Sequence, residues 1–467
     1  MTLVTKDERP APAALPTPLA AHDATAPVAW STRDERGVRA GELRAAAHAI
    51  AAELPPLAPE AREVVVLCRD RALFAAALLG AWEAGYTVAL PPNAQPGTVR
   101  ELRQRPGVAT VLHGGESDRG IDVSGALSAA TSERALRPLA PERTVVTLHT
   151  SGSTGPSAAH PKSTRQLLGE VGTLARAFPA LGRGHVVSVP PPHHIYGLLF
   201  GVLTPLAFGG VMERGGLAAG DDPSPLLGAL PEASRVLVTI PAHLRVLALR
   251  HELPLPSMRR VLSSGAPLPA STAEALATRC GWRITEVLGS TETGGLATRE
   301  RGADAPGPWT PFPGVEVSVG AEERLIVRSP LLREPGGRYV SGDRVRLLAD
   351  GSGRFEHLGR ADGVVKVGAL RVDLRDLQQR VLDLEGVADA AVLAEEVGGS
   401  RGWEIWAVVA LAPGVHLDRA RLRKALRPHV PPVALPRRAR FVARLPREPN
   451  GKLPRRALRA LFDEAGT

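Results

Sequence analysis

Thr144-Val145-Val146-Thr147-Leu148-His149-Thr150-Ser151-Gly152-Ser153-Thr154-Gly155 decides the reading of this chain. Its first half is a β-branched, apolar run of the strand type. Its second half packs two glycines and four hydroxyl residues into six positions. Successive backbone N–H groups in a glycine-rich turn form a concavity for anions, and Ser or Thr hydroxyls add donors and a metal contact. The segment therefore predicts a phosphate site at the end of a strand, rather than a plain polar turn. It is not a P-loop, because Lys162-Ser163 follows Pro161 and not glycine. It also lacks G-x-S-x-G, which excludes a hydrolase nucleophile elbow.

The pattern repeats on both sides. Apolar strand-like runs are predicted at 64–68, 144–149, 185–189, 235–240, 259–264 and 284–289, with helical patterns at 71–85 and 165–178. Val/Leu/Ile-rich strands alternating with helices predict α/β layers around parallel sheets. After about residue 310 the strands become short and polar-alternating with glycine turns, which reads as a β-rich segment. From residue 362 a helix (373–384), two strands (389–394, 404–412), a helix (417–427), a strand (437–443) and a helix (455–463) make a small α+β domain. The expected division is a Pro/Ala-rich flexible arm at 1–27, a large domain at 28–361 and a small domain at 362–467.

Composition narrows the classes. The 467 residues are 44% hydrophobic and 22% charged, so a sizeable core is possible and general disorder is excluded. No run of about 18 apolar residues is present, and the N-terminal stretch lacks a signal-peptide core, so a cytoplasmic protein without a membrane span is expected. Two cysteines, Cys68 and Cys280, cannot build a disulfide scaffold or a four-ligand zinc site. The net charge of +9 is scattered and aromatics are 4%, which argues against nucleic acid and suits an acidic protein partner. Only five of the 57 basic residues are lysine: Lys6, Lys162, Lys366, Lys424 and Lys452. In so arginine-rich a chain, a retained lysine marks positions where a compact ammonium is needed.

Further motifs follow in order: Pro191-Pro192-His193-His194-Ile195-Tyr196-Gly197, Ser263-Ser264-Gly265-Ala266-Pro267-Leu268, Leu288-Gly289-Ser290-Thr291-Glu292, Tyr339-Val340-Ser341-Gly342-Asp343, Gly359-Arg360-Ala361-Asp362 and Pro449-Asn450-Gly451-Lys452. Glu292 offers one carboxylate beside hydroxyls after a strand, which is what a Mg²⁺–nucleotide site needs. Singly these are weak; together, and in this order, they resemble the adenylate-forming superfamily of acyl-CoA and aryl-CoA synthetases, freestanding adenylation domains and luciferases. The resemblance spans about residues 30–467. It implies a large domain of stacked α/β subdomains with a β-rich segment, capped by a small mobile lid.

The resemblance also implies roles. ATP and a carboxylic acid would give an acyl-adenylate, whose acyl group then passes to a thiol. Thr150, Ser151, Gly152, Ser153, Thr154 and Gly155 would wrap the leaving phosphates, with Lys162 as a displaced phosphate-loop lysine. Thr154 and Glu292 would hold Mg²⁺, and Thr291 would touch the α-phosphate. Ser264, Gly265, Ala266, Pro267, Leu288 and Gly289 would line the adenine. Asp343 would accept from the ribose hydroxyls, Arg360 would lie near ribose and phosphate, and Asp362 would be the hinge. Lys452 would bridge the carboxylate and the α-phosphate. His194 would gate an acid pocket walled by Tyr196, Ile240, Ser263, Gly294 and Gly295.

Two stretches depart from the family pattern. The loop from Gly155 to Lys162 is several residues longer than TG-x-P-K, and Ala369 stands where a glycine is expected in the loop that guides the thiol. No Asp occurs in HHIYGLLFG to pair with an amino group, which disfavours α-amino acids. The compact length and PPHHIYG resemble short ligases of aryl-polyene and xanthomonadin-type clusters, which load an aryl acid such as a hydroxybenzoate on an acyl carrier protein. CoA is the alternative acceptor, and the chain is expected to be a monomer or homodimer. A peptide-synthetase adenylation domain or a catalytically silent paralogue are the competing readings; the latter would predict loss of Glu292, Asp343 or Lys452, and all three are present.

Overall fold

The computed structural model describes residues 15–463, apart from 21, 128–129, 151–157, 219, 251, 253, 303–305, 334, 361–363, 368–369, 397–402, 429, 431 and 450. Two sheets form the frame of the large domain. The first has six strands in the order Ile121–Asp122, Gly107–His113, Ala61–Leu67, Thr87–Leu90, Thr144–Thr150 and Ala158–Ser163. All neighbours are parallel except the last pair, a hairpin that returns from the glycine-rich segment. The second sheet has nine strands, with Ile284–Ser290, Arg260–Ser263, Arg235–Thr239, His185–Ser188, Val211–Glu213 and Pro27–Ser31 parallel in that order. Antiparallel strands close both of its edges.

Between the sheets lies the helix Arg71–Glu83, every residue of which is buried. Its Ala/Leu sequence is apolar on all sides, as a helix packed from both faces must be. Asp70 starts it by accepting from the N–H groups of Ala72 (2.8 Å) and Leu73 (3.1 Å), a cap worth about 1 kcal/mol. Arg71 is 1% exposed and spends its guanidinium on the carbonyls of Ser188 (2.6 Å), Pro190 (3.1 Å) and Gly215 (3.0 Å). That ties the helix to the segment leading into the His193-His194 motif.

The expected β-rich segment is a four-stranded antiparallel sheet, Glu316–Val319, Arg324–Arg328, Arg338–Leu347 and Phe355–Arg360. The small domain has a three-stranded sheet, Val387–Glu396, Trp403–Leu411 and Arg438–Val442, with helices Leu374–Leu382, Arg419–Leu426 and Arg455–Asp463. One face of this sheet buries Leu377, Val381, Ile405, Val409, Leu422 and Leu426, and the other buries Trp406, Leu458 and Phe462.

The N-terminal arm expected at 1–27 is a different matter. Residues 1–14 lie outside the described part, but Leu19 is 1% exposed and its N–H donates to Leu206 O. His22 Nε2 donates to the same carbonyl at 2.9 Å. From Leu19 the chain is packed, because one leucine and one imidazole buried against the domain outweigh the Pro/Ala composition around them. The strand Ala158–Ser163 was also not expected; Ala158, Ala159 and Pro161 carry no strand signature, and cross-strand pairing with Thr144–Thr150 decides its conformation.

Candidate active site

Parallel strands deliver their carboxyl ends to one edge, and ligands bind in α/β folds at that edge. Here Thr239, Ser263 and Ser290 end adjacent strands of the nine-stranded sheet, with Thr239 in register with Ser263. The expected pocket and adenine residues follow directly from these ends. Ser264 Oγ donates to Val287 O at 2.8 Å, fixing the loop's first residue. Glu286 holds the rest: its carboxylate accepts from Leu268 N (3.0 Å), Arg299 Nε (2.7 Å) and Arg301 Nη1 (2.6 Å). Gly265, at φ +94°, makes the turn that a side chain would strain.

The Ser290–Gly294 segment is a tight hairpin turn. Thr293 N–H donates to Ser290 Oγ at 3.2 Å, and Gly294 closes the turn at φ +70°. A Cβ on Gly289 would sit 2.4 Å from Gly294 O, so the two strands approach only because glycine stands there. The turn lifts Glu292. Burial works against ionisation of its carboxyl. Its own backbone N–H and the Ser290 hydroxyl, helped by His160 and Lys452, outweigh that and hold it below the usual range.

The hairpin after the glycine-rich segment faces this turn. Lys162 Nζ donates to Glu292 O at 2.8 Å and is 5% exposed. His160 Nε2 lies 3.2 Å from Thr150 Oγ1 and 3.7 Å from Glu292 Oε1. Burial chiefly keeps the His160 imidazole below its ordinary value, and Lys162 and Lys452 add to this against the pull of Glu292. Ser151, Gly152, Ser153, Thr154 and Gly155 lie outside the described residues.

Lys452 arrives from the small domain. Its loop is a closed turn: Arg447 Nη1 donates to Gly451 O (2.7 Å), Gly451 N–H to Glu448 O (2.8 Å) and Glu448 N–H to Lys452 O (2.8 Å). The ammonium stands close enough to His160, His194 and Glu292 for its charge to act on all three. Two domains thus meet over one cleft. Asp343 sits on the Arg338–Leu347 strand in register with Arg360. It accepts from Ser341 Oγ (2.5 Å) and His357 Nε2 (2.9 Å). Asp362 lies outside the described residues.

In the segment Pro191–Gly197, His193 and His194 are buried with ring centroids 4.5 Å apart. Burial, with the charge of Arg71, pushes His193 down to about 4. Burial drives His194 well below the ordinary value, and His193 and Lys452 add to this. Both imidazoles are therefore neutral at pH 7. Tyr196 packs edge-on to Phe200 at 4.8 Å, and its buried hydroxyl is pushed well above its ordinary value by burial. Phe178 contacts Phe200 (6.0 Å) and Phe312 (5.9 Å), and a Cβ on Gly295 would meet Phe312 at 3.0 Å. The Ser263 hydroxyl is buried without a hydrogen-bond partner among the described residues.

Two site residues escaped sequence reasoning. His160 sat beside Lys162 in a stretch read as loop; the strand alternation that aims it at Thr150 was the missing signal. Glu170, on the helix Thr164–Ala177, accepts from Gly295 N–H at 2.6 Å and would be struck by any Cβ on Gly294, at 2.3 Å. Burial pushes its carboxyl up to about 7, against the pull of Lys162 and the Gly295 N–H. Nothing local in the sequence marks it, because its partner is 125 residues away.

No group of three or more His, Cys, Asp or Glu among the described residues could hold a metal ion. One carboxylate, Glu292, held ionised beside hydroxyls, fits Mg²⁺ in the other way, with phosphate oxygens and water completing the shell. No helix among the described residues is long and apolar enough to cross a membrane.

The "AMP-binding enzyme" family model matches residues 20–345, and the "AMP-binding enzyme C-terminal domain" model matches 377–452. The chain belongs to this adenylate-forming family and is an ATP-dependent, AMP-forming acid–thiol ligase. It is 32% identical over 313 residues to a 4-coumarate–CoA ligase of Rhodobacter capsulatus, covering 65% of this chain and 73% of that one. It is 30% identical over 351 residues to an anthranilate–CoA ligase of Pseudomonas aeruginosa, covering 68% and 66%. In fold it is similar to O-succinylbenzoate coenzyme A synthetase of Bacillus subtilis in complex with AMP, with a TM-score of 0.76 at 17% identity over 94% of this chain and 98% of that one. The anthranilate CoA ligase AuaEII in complex with anthranoyl-AMP gives a TM-score of 0.75 at 18% identity over 96% and 97%.

Proposed function

We propose that the protein activates an aryl carboxylic acid of the hydroxybenzoate type as its acyl-AMP and transfers the acyl group to the phosphopantetheine thiol of an acyl carrier protein. The observation that carries the first step is the Lys452 turn packed on Ile240 at the end of the strand Arg235–Thr239, a Cβ on Gly451 lying 3.1 Å from Ile240 Cδ1, which brings the ammonium near enough for its charge to act on Glu292, His160 and His194. A carboxylate and a triphosphate repel, and a fixed cation between them lowers the barrier electrostatically. Glu292, with Thr154, would hold the Mg²⁺, whose charge neutralises the leaving pyrophosphate. Asp343 would receive the ribose, and Ser264–Pro267 with Leu288-Gly289 the adenine. Neutral His194 does not compete with Lys452 for the acid's charge.

The residues around the His193-His194 motif support an aromatic acid. Phe178, Phe200, Phe312 and Tyr196 form a connected set of ring contacts beside the paired glycines Gly294 and Gly295, apolar surroundings that suit a flat ring. The anthranilate and coumarate relatives are consistent with an aromatic acid. They also favour the second reading, in which CoA is the acceptor. The charge of +9 suits an acidic carrier protein. The two domains would be 28–361 for activation and 362–467 as the lid that brings Lys452.

The test is acid-dependent pyrophosphate release over a panel of benzoates, cinnamates and fatty acids, followed by intact-mass detection of acyl transfer to holo carrier protein against CoA. Release with hydroxybenzoates and transfer to the carrier is expected. Fatty acids giving release while benzoates give none would overturn the acid. Lys452→Ala should lower release at least about 100-fold while sparing transfer from preformed adenylate; an equal loss in both would overturn the role of Lys452.

A further inference from the structure

The helix Pro241–Leu249 belongs to the large domain and begins where the strand Arg235–Thr239 leaves the sheet. It touches the small domain at two points. Its N-cap, Ile240, packs so closely on the Lys452 loop that a Cβ on Gly451 would lie 3.1 Å from Ile240 Cδ1. Further along, Arg245 is 7% exposed and crosses into the small domain. Its Nη2 donates to Leu382 O at 2.5 Å and to Val387 O. Leu382 ends the helix Leu374–Leu382, where carbonyls lack intrahelical partners and carry the negative end of the helix dipole. A guanidinium buried there has a defined seat. Asp383, Asp389 and Arg447 of the small domain also face it.

The grip continues towards Lys452. Two residues past Val387, the Asp389 carboxylate takes Arg447 in a fork, Nε to Oδ2 at 2.5 Å and Nη2 to Oδ1 at 2.6 Å. The third nitrogen of Arg447 donates to Gly451 O at 2.7 Å, the residue before Lys452. A bidentate, charge-assisted pair fixes direction as well as distance. Arg245 therefore holds the strand start, the strand holds Asp389, Asp389 holds Arg447, and Arg447 holds the Lys452 turn.

We propose that Arg245 is a positioning residue for Lys452: it docks the small domain so that the Val387–Asp389–Arg447–Gly451 chain aims the Lys452 ammonium into the cleft. This rests on the reading of Lys452 as the residue that serves acyl-AMP formation. Arg245 lies in the seam between the helix Pro241–Leu249 and the small domain and spends its guanidinium on backbone carbonyls, so its loss should act on the adenylating half-reaction and not on the chemistry of transfer.

The experiment compares wild type, Arg245→Ala, Arg245→Lys, Arg447→Ala, the Arg245→Ala/Arg447→Ala double variant and Lys452→Ala. Each is the full-length chain. Two rates are read: acid-dependent exchange of labelled pyrophosphate into ATP, and acyl transfer from synthetic acyl-adenylate to thiol. Arg245→Ala should lower kcat for exchange at least 10-fold, change KM for ATP less than 3-fold and leave transfer within 3-fold of wild type. Lysine, with one point charge for two carbonyls, should restore part of the loss. The double variant should lose no more than the worse single one, because both break one chain. Unchanged exchange, or equal loss of exchange and transfer, in Arg245→Ala would overturn the proposal. Should Arg245→Ala not fold, Arg447→Ala carries the same test from inside the small domain, and equal loss in both rates there overturns it. Lys452→Ala separates the two readings: if it exchanges normally the function is misassigned, and if it alone loses exchange only the docking role fails.

Discussion

Glu170→Gln tests the buried carboxyl behind Gly294 and Gly295. Glu170 titrates at about 7 in the folded protein against 4.5 as its ordinary value, and burial is the main cause. Because the folded value is the higher one, the folded state binds the proton more tightly. The stability is fully present below pH 4.5 and is lost as pH rises through 7. At 1.36 kcal/mol per unit, the two values give a loss of about 2.5 kcal/mol between pH 5 and pH 8. Glutamine cannot ionise, yet its carbonyl can still accept from Gly295 N–H. The stability of the variant relative to wild type should therefore grow by about 2.5 kcal/mol over that range. At roughly 2 cal/mol/K per residue over a domain of this size, that is about 3–4 °C in Tm. Calorimetric Tm values for both proteins at pH 5, 6, 7 and 8 measure it. A difference that stays flat with pH would refute the reasoning, and one that falls with pH would invert it.

Other consequences are open to direct measurement. Asp343→Ala removes the acceptor of Ser341 and His357; it should raise KM for ATP about 10-fold with a smaller change in kcat, and steady-state kinetics in ATP would reveal the opposite split. Gly295→Val places atoms against Phe312, 3.0 Å from the first added carbon. It should lower kcat/KM for aryl acids at least about 10-fold and spare acids of two or three carbons, and an unchanged acid panel would show that Gly295 does not line the pocket. His243 is fully buried between Thr239 Oγ1 (2.8 Å) and Asp221 O (3.1 Å) and is pushed down to about 4 by burial. Its depressed value means stability present above pH 6.5 and lost as pH falls towards 4, by about 3 kcal/mol; urea midpoints of His243→Gln should be flatter than wild type over that window.

Much of this architecture was legible because its parallel strands are buried on both faces. Val64–Leu67, Val236–Val238 and Val145–Val146 are therefore continuous apolar runs that stand out from amphipathic helices. Two of the motifs were legible for a related reason: Thr150–Gly155 and Ser263–Leu268 begin where such a run stops. What stayed hidden depends on contacts between distant segments. The Ala158–Ser163 strand exists through its partner and not through its own residues. Glu170 reads as one polar position on a surface-like helix until Gly294 and Gly295 close over it. Arg245 is one of 52 arginines, and only the arrival of Leu382 and Val387 distinguishes it.

The buried helix Arg71–Glu83 has a thermal consequence. Its side chains belong to one apolar cluster with Val64 and Val146 of the six-stranded sheet and Val186, Val238 and Leu262 of the nine-stranded one. Neither sheet can lose its packing alone, so on heating both should melt as a single cooperative block. The small domain keeps separate clusters around Val381 and Trp406. Its heat absorption is then free to form a second peak, and the spacing between the two peaks would report how firmly the domains grip one another.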